Sequence, residues 1–143
     1  ILFEKCLENR IQSEIYIGDY NQYQQEILSK GSKLYGFESD VIFINIDIQS
    51  IMGDLFFMPY SISDDERRNW VEDQFKELYS LLDHLCQNTS AKIIMHNFVV
   101  PSYSPLGIAE RKRSFGFFDI FYFKILITPS IISPRINFPL AST

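Results

Sequence analysis

Cysteine is scarce in this chain. Among 143 residues there are only Cys6 and Cys86, in apolar surroundings and with no Cys-x-x-Cys spacing. That argues against a disulfide scaffold or a cysteine-bound zinc and leaves two buried free thiols in a reducing compartment as the expectation. Positive charge is also short: 13 Lys and Arg against 18 Asp and Glu give a formal net charge of -5. So acidic a domain lacks the basic footprint of a nucleic-acid binder. No unbroken apolar run reaches the roughly 18 residues of a membrane span. The nearest, 115–132, is interrupted by Gly116, Asp119, Lys124 and Pro129. No basic-then-apolar signal pattern opens the chain, which begins at Ile1 and reads as an excerpt of a longer, cytoplasmic protein. Internal repeats and low-complexity segments are missing too. So are Gly-x-Ser-x-Gly, Gly-Asp-Ser, Walker, GxGxxG and HExxH motifs, and any set of side chains at metal-ligand spacing.

What is present suits one globular domain. Hydrophobic residues make up 46% and charged residues 22%, while 13 Phe and 8 Tyr point to an aromatic-rich core. A chain of this length buries roughly two-thirds of its surface on folding.

Helical spacing of Ile1, Leu2, Cys6, Leu7 and Ile11 predicts a helix over residues 1–12. Residues 14–17 form a strand candidate closed by Gly18-Asp19, and 21–28 a polar, Gln-rich helix. Residues 41–48 are the strongest strand, and the near-continuous apolar run predicts cover on both faces. Residues 63–86 are the strongest helix. Val71, Phe75, Leu78, Leu82 and Leu85 make one apolar stripe. Ser63 and Glu66 have capping-box form, and Asp64, Asp65 and Glu66 suit the positive end of the helix dipole. Residues 92–100 are a further strand. Helix and strand alternate, which predicts an α/β domain with a parallel sheet, residues 14–17, 41–47 and 92–98 being neighbouring strands. The Phe- and Ile-rich run 115–132 reads as strand by propensity, but a helix over 106–126 is the favoured expectation, because one should follow the last strand in such a fold. The segment 129–143 is expected to be irregular, leaving 1–128 as the domain.

Ligands of open parallel sheets sit beyond the carboxyl ends of the strands. Three polar clusters fall there: Gly18, Asp19 and Asn21; Asn45 and Asp47; His96 and Asn97. They form a candidate active-site rim, against the plainer reading that polar residues end strands in any α/β protein. Asp47, His96 and Asn97 are the catalytic candidates, and Gly18, Asp19, Asn21 and Asn45 the substrate-binding ones. Asn45-Ile46-Asp47 after an apolar strand looks like the first motif of haloacid dehalogenase phosphatases. However, Asn45 stands where the nucleophilic Asp belongs and Gln49 where Thr belongs, and an amide cannot form an aspartyl phosphate. His84 lies in the last turn of the long helix, where a cation suits the dipole. Arg111-Lys112-Arg113 suits a phosphate or, more plainly, a solvated face.

Two stretches carry a resemblance. One runs Asp19-Tyr20-Asn21-Gln22-Tyr23-Gln24-Gln25-Glu26-Ile27-Leu28, then Ser32-Lys33-Leu34-Tyr35-Gly36-Phe37, then Asp40-Val41-Ile42-Phe43-Ile44. The other is His96-Asn97-Phe98, followed by Pro101 and then Ser104-Pro105-Leu106-Gly107. Together they resemble the amino-terminal region of FkbH-like proteins, subfamily IIIC of the haloacid dehalogenase superfamily, over about residues 1–118. The resemblance implies a three-layer α/β sandwich of SGNH-hydrolase or flavodoxin type with a parallel sheet, truncated at both ends. It implies a phosphatase-type domain following in the same polypeptide, which needs Mg²⁺ and loads a glyceryl-type group from bisphosphoglycerate onto an acyl carrier protein. Natural-product or surface-polysaccharide biosynthesis is the implied setting. No cofactor is expected in this chain. The acyl carrier protein is an expected partner of the whole protein, while nucleic acid and membrane are not expected partners. By position, Gly18 matches the second SGNH block, Asp47 the third, and Asn97 the strand after it. The chain departs from that pattern: the serine-bearing block would precede Ile1, no Asp-x-x-His block closes it, and apolar residues replace a polar helix beyond about Phe123. The parent is therefore expected to be an enzyme and this chain alone inactive. Two alternatives stand beside this: a fragment of a stand-alone SGNH-type esterase or acyltransferase, and a non-catalytic module that docks a carrier protein or partner domain.

Overall fold

The computed structural model describes residues 2–96, 98–122 and 136–137. The chain is mixed α/β with a small parallel sheet. Strands β1 (Val41–Ile44) and β2 (Lys92–Met95) pair in parallel, with Val41 opposite Lys92 and Ile44 opposite Met95. A two-residue strand, β3 (Ile136–Asn137), pairs in parallel with β2 on its other side. Irregular structure was the expectation for that stretch.

Helices α1 (Leu2–Glu8), α2 (Tyr23–Leu28) and α3 (Lys33–Gly36) precede β1. Helix α1 is shorter than its spacing predicts because Arg10 turns into the left-handed region at φ 58°. Helices α4 (Ile48–Met52), α5 (Asp54–Phe57) and α6 (Asp64–Asn88) connect β1 to β2. After β2 come a 3₁₀ turn (Gly107–Lys112) and helix α7 (Phe117–Tyr122), where a single helix was expected.

The long helix is built as its sequence predicts. Ser63 Oγ accepts from the Glu66 amide and Glu66 reaches back to the Ser63 amide at 2.8 Å, so the capping box forms. Val71, Leu78, Leu82 and Leu85 are buried, but Phe75 is only half-buried. With Ile27 of α2, the lower part of the stripe covers Ile42, Ile44, Ile93 and Met95 of the sheet. A second cluster joins Val71 to Met52, Phe56, Phe115, Phe117, Ile120 and Phe121.

Two expectations fail here for linked reasons. Residues 14–17 are not a strand: Ile15 and Ile17 are exposed, Ile17 at 83%, and Tyr16 is drawn off by Glu26 and the Phe37 ring. With no strand beside it among the described residues to complete a ladder, the alternating tetrapeptide stays outside the sheet. Nor do the described residues cover β1 on both faces. Its burial alternates, leaving Val41 and Phe43 exposed, Phe43 at 53%. The buried face, with Ile42 and Ile44, is the one on which α2 and α6 pack.

The residues before β1 form one hydrogen-bonded unit. Ser32 Oγ donates to the Glu26 carbonyl at 2.7 Å, and Tyr35 Oη donates to the Ile27 carbonyl at 2.6 Å. Glu26 Oε2 accepts from the Leu34 amide at 3.3 Å and Oε1 from Tyr16 at 3.2 Å. These bonds tie α2 to α3 and hold Ile27 against the sheet.

Candidate functional site

The carboxyl ends of β1 and β2 bring part of the predicted rim together. His96 follows β2, and its amide donates to the Ile44 carbonyl at 3.0 Å. Its exposed ring stands edge-on to Phe43 at 6.5 Å between centroids. Asn45 and Asp47 follow β1 and are exposed. Asp47 Oδ1 accepts from the Gln49 amide at 3.1 Å, which makes it the N-cap of α4. Capping satisfies an orphan amide at the start of a helix and accounts for an aspartate there without any catalysis.

Gly18, Asp19 and Asn21 sit in the exposed loop before α2. The Asp19 carbonyl closes a turn with the Gln22 amide at 3.2 Å, and Asn21 takes φ 58°, which asparagine tolerates. Among the described residues no hydrogen bond or ion pair joins them to Asn45, Asp47 or His96. Asn97 lies outside the described residues.

Behind the rim, Ile48, Ile51, Trp70, Phe75, Phe98 and Ile120 line an apolar cleft of ≈ 20 Å³. That is about one water molecule, against the several hundred Å³ of an ordinary ligand pocket. It is a packing gap and not a substrate chamber. No three His, Cys, Asp or Glu side chains among the described residues gather in a way that could hold a metal ion.

The densest polar chemistry lies at the start of α6, where the sequence marks only a capping box. Arg67 is 0% exposed. Its guanidinium donates to the carbonyls of Pro59 at 2.6 Å, Ile62 at 3.2 Å and Phe115, and pairs with Asp64 at 2.6 Å. It also lies 4.8 Å over the Tyr60 ring, which Arg113 approaches to 5.1 Å. Burial pushes the Tyr60 phenol up; the hydrogen bond from the Phe117 amide offsets this, and the Glu110 carboxylate adds to it. Glu110 Oε1 in turn accepts from the Phe118 amide at 2.7 Å, and Asp119 from the Gly116 amide at 2.6 Å. This network fastens the segment 110–119 onto α6. Tyr60, Arg67 and Glu110 carry no spacing that marks them as one site.

Gly116 is required by this packing. A Cβ there would lie 2.8 Å from both Cγ and Oε1 of Glu110, whose carboxylate the Phe118 amide holds in place. Gly116→Ala should therefore destabilise the chain by about 1–3 kcal/mol in urea unfolding, the usual cost of overpacking.

Asp64 gives the network a pH dependence. Burial alone would raise its carboxyl, but hydrogen bonds from Ser114 and Arg67 outweigh that and hold it below its ordinary value. A depressed folded pKa contributes stability above the unfolded pKa, and that stability is lost as pH falls through the folded one. Urea midpoints should show Asp64→Asn less stable than the unaltered chain at neutral pH. The gap should close as pH falls below about 4; a gap unchanged at low pH would remove Asp64 from this role.

Comparison with family models, with curated proteins and with solved structures finds no match to the chain.

Proposed function

We propose that this chain is part of the amino-terminal α/β region of an FkbH-like protein. In that reading it scaffolds a following phosphatase-type domain, which loads a glyceryl-type group onto an acyl carrier protein and holds its own Mg²⁺. The third layer of the sandwich would cover Val41 and Phe43, and the setting would be cytoplasmic biosynthesis. No helix among the described residues is long and apolar enough to cross a membrane.

One observation carries the reading. Part of the first stretch of the resemblance closes on itself. Glu26, Ile27, Ser32, Leu34 and Tyr35 bond to one another and set α2 and α3 ahead of β1. A long sequence pattern that closes into one structural unit is better support than the same letters dispersed over a surface. The rim adds a chemical argument for leaving catalysis to the following domain. Acyl transfer by a nucleophile needs a base within hydrogen-bond reach, and Asp47 is engaged as a helix cap.

The purified chain should hydrolyse neither p-nitrophenyl acetate nor p-nitrophenyl phosphate above background, with or without Mg²⁺. Turnover that vanishes in Asp47→Asn or His96→Ala protein would instead make the rim an active site.

A further inference from the structure

The basic run Arg111-Lys112-Arg113 ends against Ser114, and the function proposed above uses neither. Ser114 is exposed, in the bend between the 3₁₀ turn and α7. Its amide and its hydroxyl both donate to Asp64 Oδ2, at 3.1 and 2.9 Å. The three cations before it are exposed too, though Arg113 also approaches Asp64 at 3.6 Å. Consecutive cations leading into an accessible hydroxyl are what an acidic substrate groove selects by charge. Arg111 and Lys112 sit in the 3₁₀ turn, whose hydrogen bonds are poorly aligned and open at low cost, so this stretch can extend into such a groove.

We infer that Ser114 is a phosphorylation site for a serine kinase that reads basic residues ahead of its target, and that the phosphate releases the segment 113–118 from the start of α6. In the transfer, Ser114 Oγ attacks the γ-phosphorus of a nucleoside triphosphate. The Oγ–P bond forms, the bond to the bridging oxygen breaks, and the nucleoside diphosphate leaves. The hydroxyl proton passes to a base of the kinase, and nothing is oxidised or reduced.

The consequence follows from what Oγ touches. Phosphorylation removes its proton, so it no longer donates to Asp64. It also places a charge of about -1.5 to -2 beside a carboxylate. Asp64 cannot turn away, because the buried Arg67 guanidinium grips its other oxygen at 2.6 Å. Hydrogen bonding holds Asp64 ionised at neutral pH. The phosphate must therefore leave, taking the Ser114 amide with it. Arg113 and Arg68, which reaches the Ser114 carbonyl at 3.5 Å, are the cations able to take it up on the solvent side.

The test treats the full chain with ATP and an arginine-directed serine kinase, maps the phosphate by mass spectrometry, and follows amide hydrogen exchange. Ser114 should be the main site, Ser114→Ala should stay unlabelled there, and Arg111→Ala should slow labelling at least about tenfold. In the phosphorylated chain the amides of Ser114 and Phe118 should exchange at least about tenfold faster, while those of β2 keep their rates. Phosphate mainly on another serine, no incorporation, or unchanged exchange at Ser114 and Phe118 would each overturn the inference. None of these outcomes depends on the chain being FkbH-like.

Discussion

Replacing Arg67 by alanine should cost the chain about 3–5 kcal/mol, the usual penalty for breaking a buried charge network. The side chain is 0% exposed and serves three carbonyls and the Asp64 carboxylate at once. Its removal leaves those acceptors facing a cavity, and a buried acceptor without a donor loses its hydration with nothing in return. Arg67→Lys should recover only part of the loss, because an ammonium is a point donor and cannot reproduce the planar fork that spans Pro59, Phe115 and Asp64. Urea unfolding of the two variants checks both statements. A loss below about 1 kcal/mol for Arg67→Ala would mean that the segment 110–119 does not depend on this guanidinium.

Phe117→Ala should cost a similar amount, about 3–5 kcal/mol. Phe117 is 0% exposed, with its ring 5.1 Å from Phe121 and 5.8 Å from Phe56 between centroids. It lies where α7 meets α5 and α6, so the cavity would open inside the second cluster. Phe75→Ala should cost clearly less, since its ring is half-buried at the edge of the same cluster. The ordering of the two variants by thermal or urea unfolding is the test. Equal losses would place Phe75 as deeply in the core as the helical stripe alone suggests.

The parts of this fold legible in the sequence are those set by local rules. Helix α6 has its stripe and its capping box, and both appear where the spacing puts them. Strands β1 and β2 pair in parallel as expected, though both are shorter than the runs 41–48 and 92–100. Misreadings came where a short pattern depends on distant chain. Glu14 to Ile17 alternates like a strand but finds no ladder. The run after Val41 looks like one long strand, yet Asp47 caps a helix and Gly53, at φ 52°, ends it. That Asp, read as a catalytic candidate, carries an N-cap signal equally visible in the sequence.

The network at the start of α6 was beyond local reading for a different reason. Arg67 meets Phe115, and Tyr60 meets Phe117, across separations of 48 and 57 residues. Nothing in the spacing of Tyr60, Arg67, Glu110 and Gly116 couples them; only the packing of α7 on α6 does. The rim was legible in part, since Asn45, Asp47 and His96 do share the carboxyl edge of the sheet, whereas Gly18, Asp19 and Asn21 are in a loop ahead of α2.

The most direct measurement is the sequence of the gene downstream of the codon for Thr143. An FkbH-like protein should continue into an apolar strand followed by Asp-x-Asp-x-Thr, the nucleophile and general acid that Asn45 and Asp47 do not provide. A reading frame that closes without that block, or runs into an unrelated domain, would contradict the proposed function.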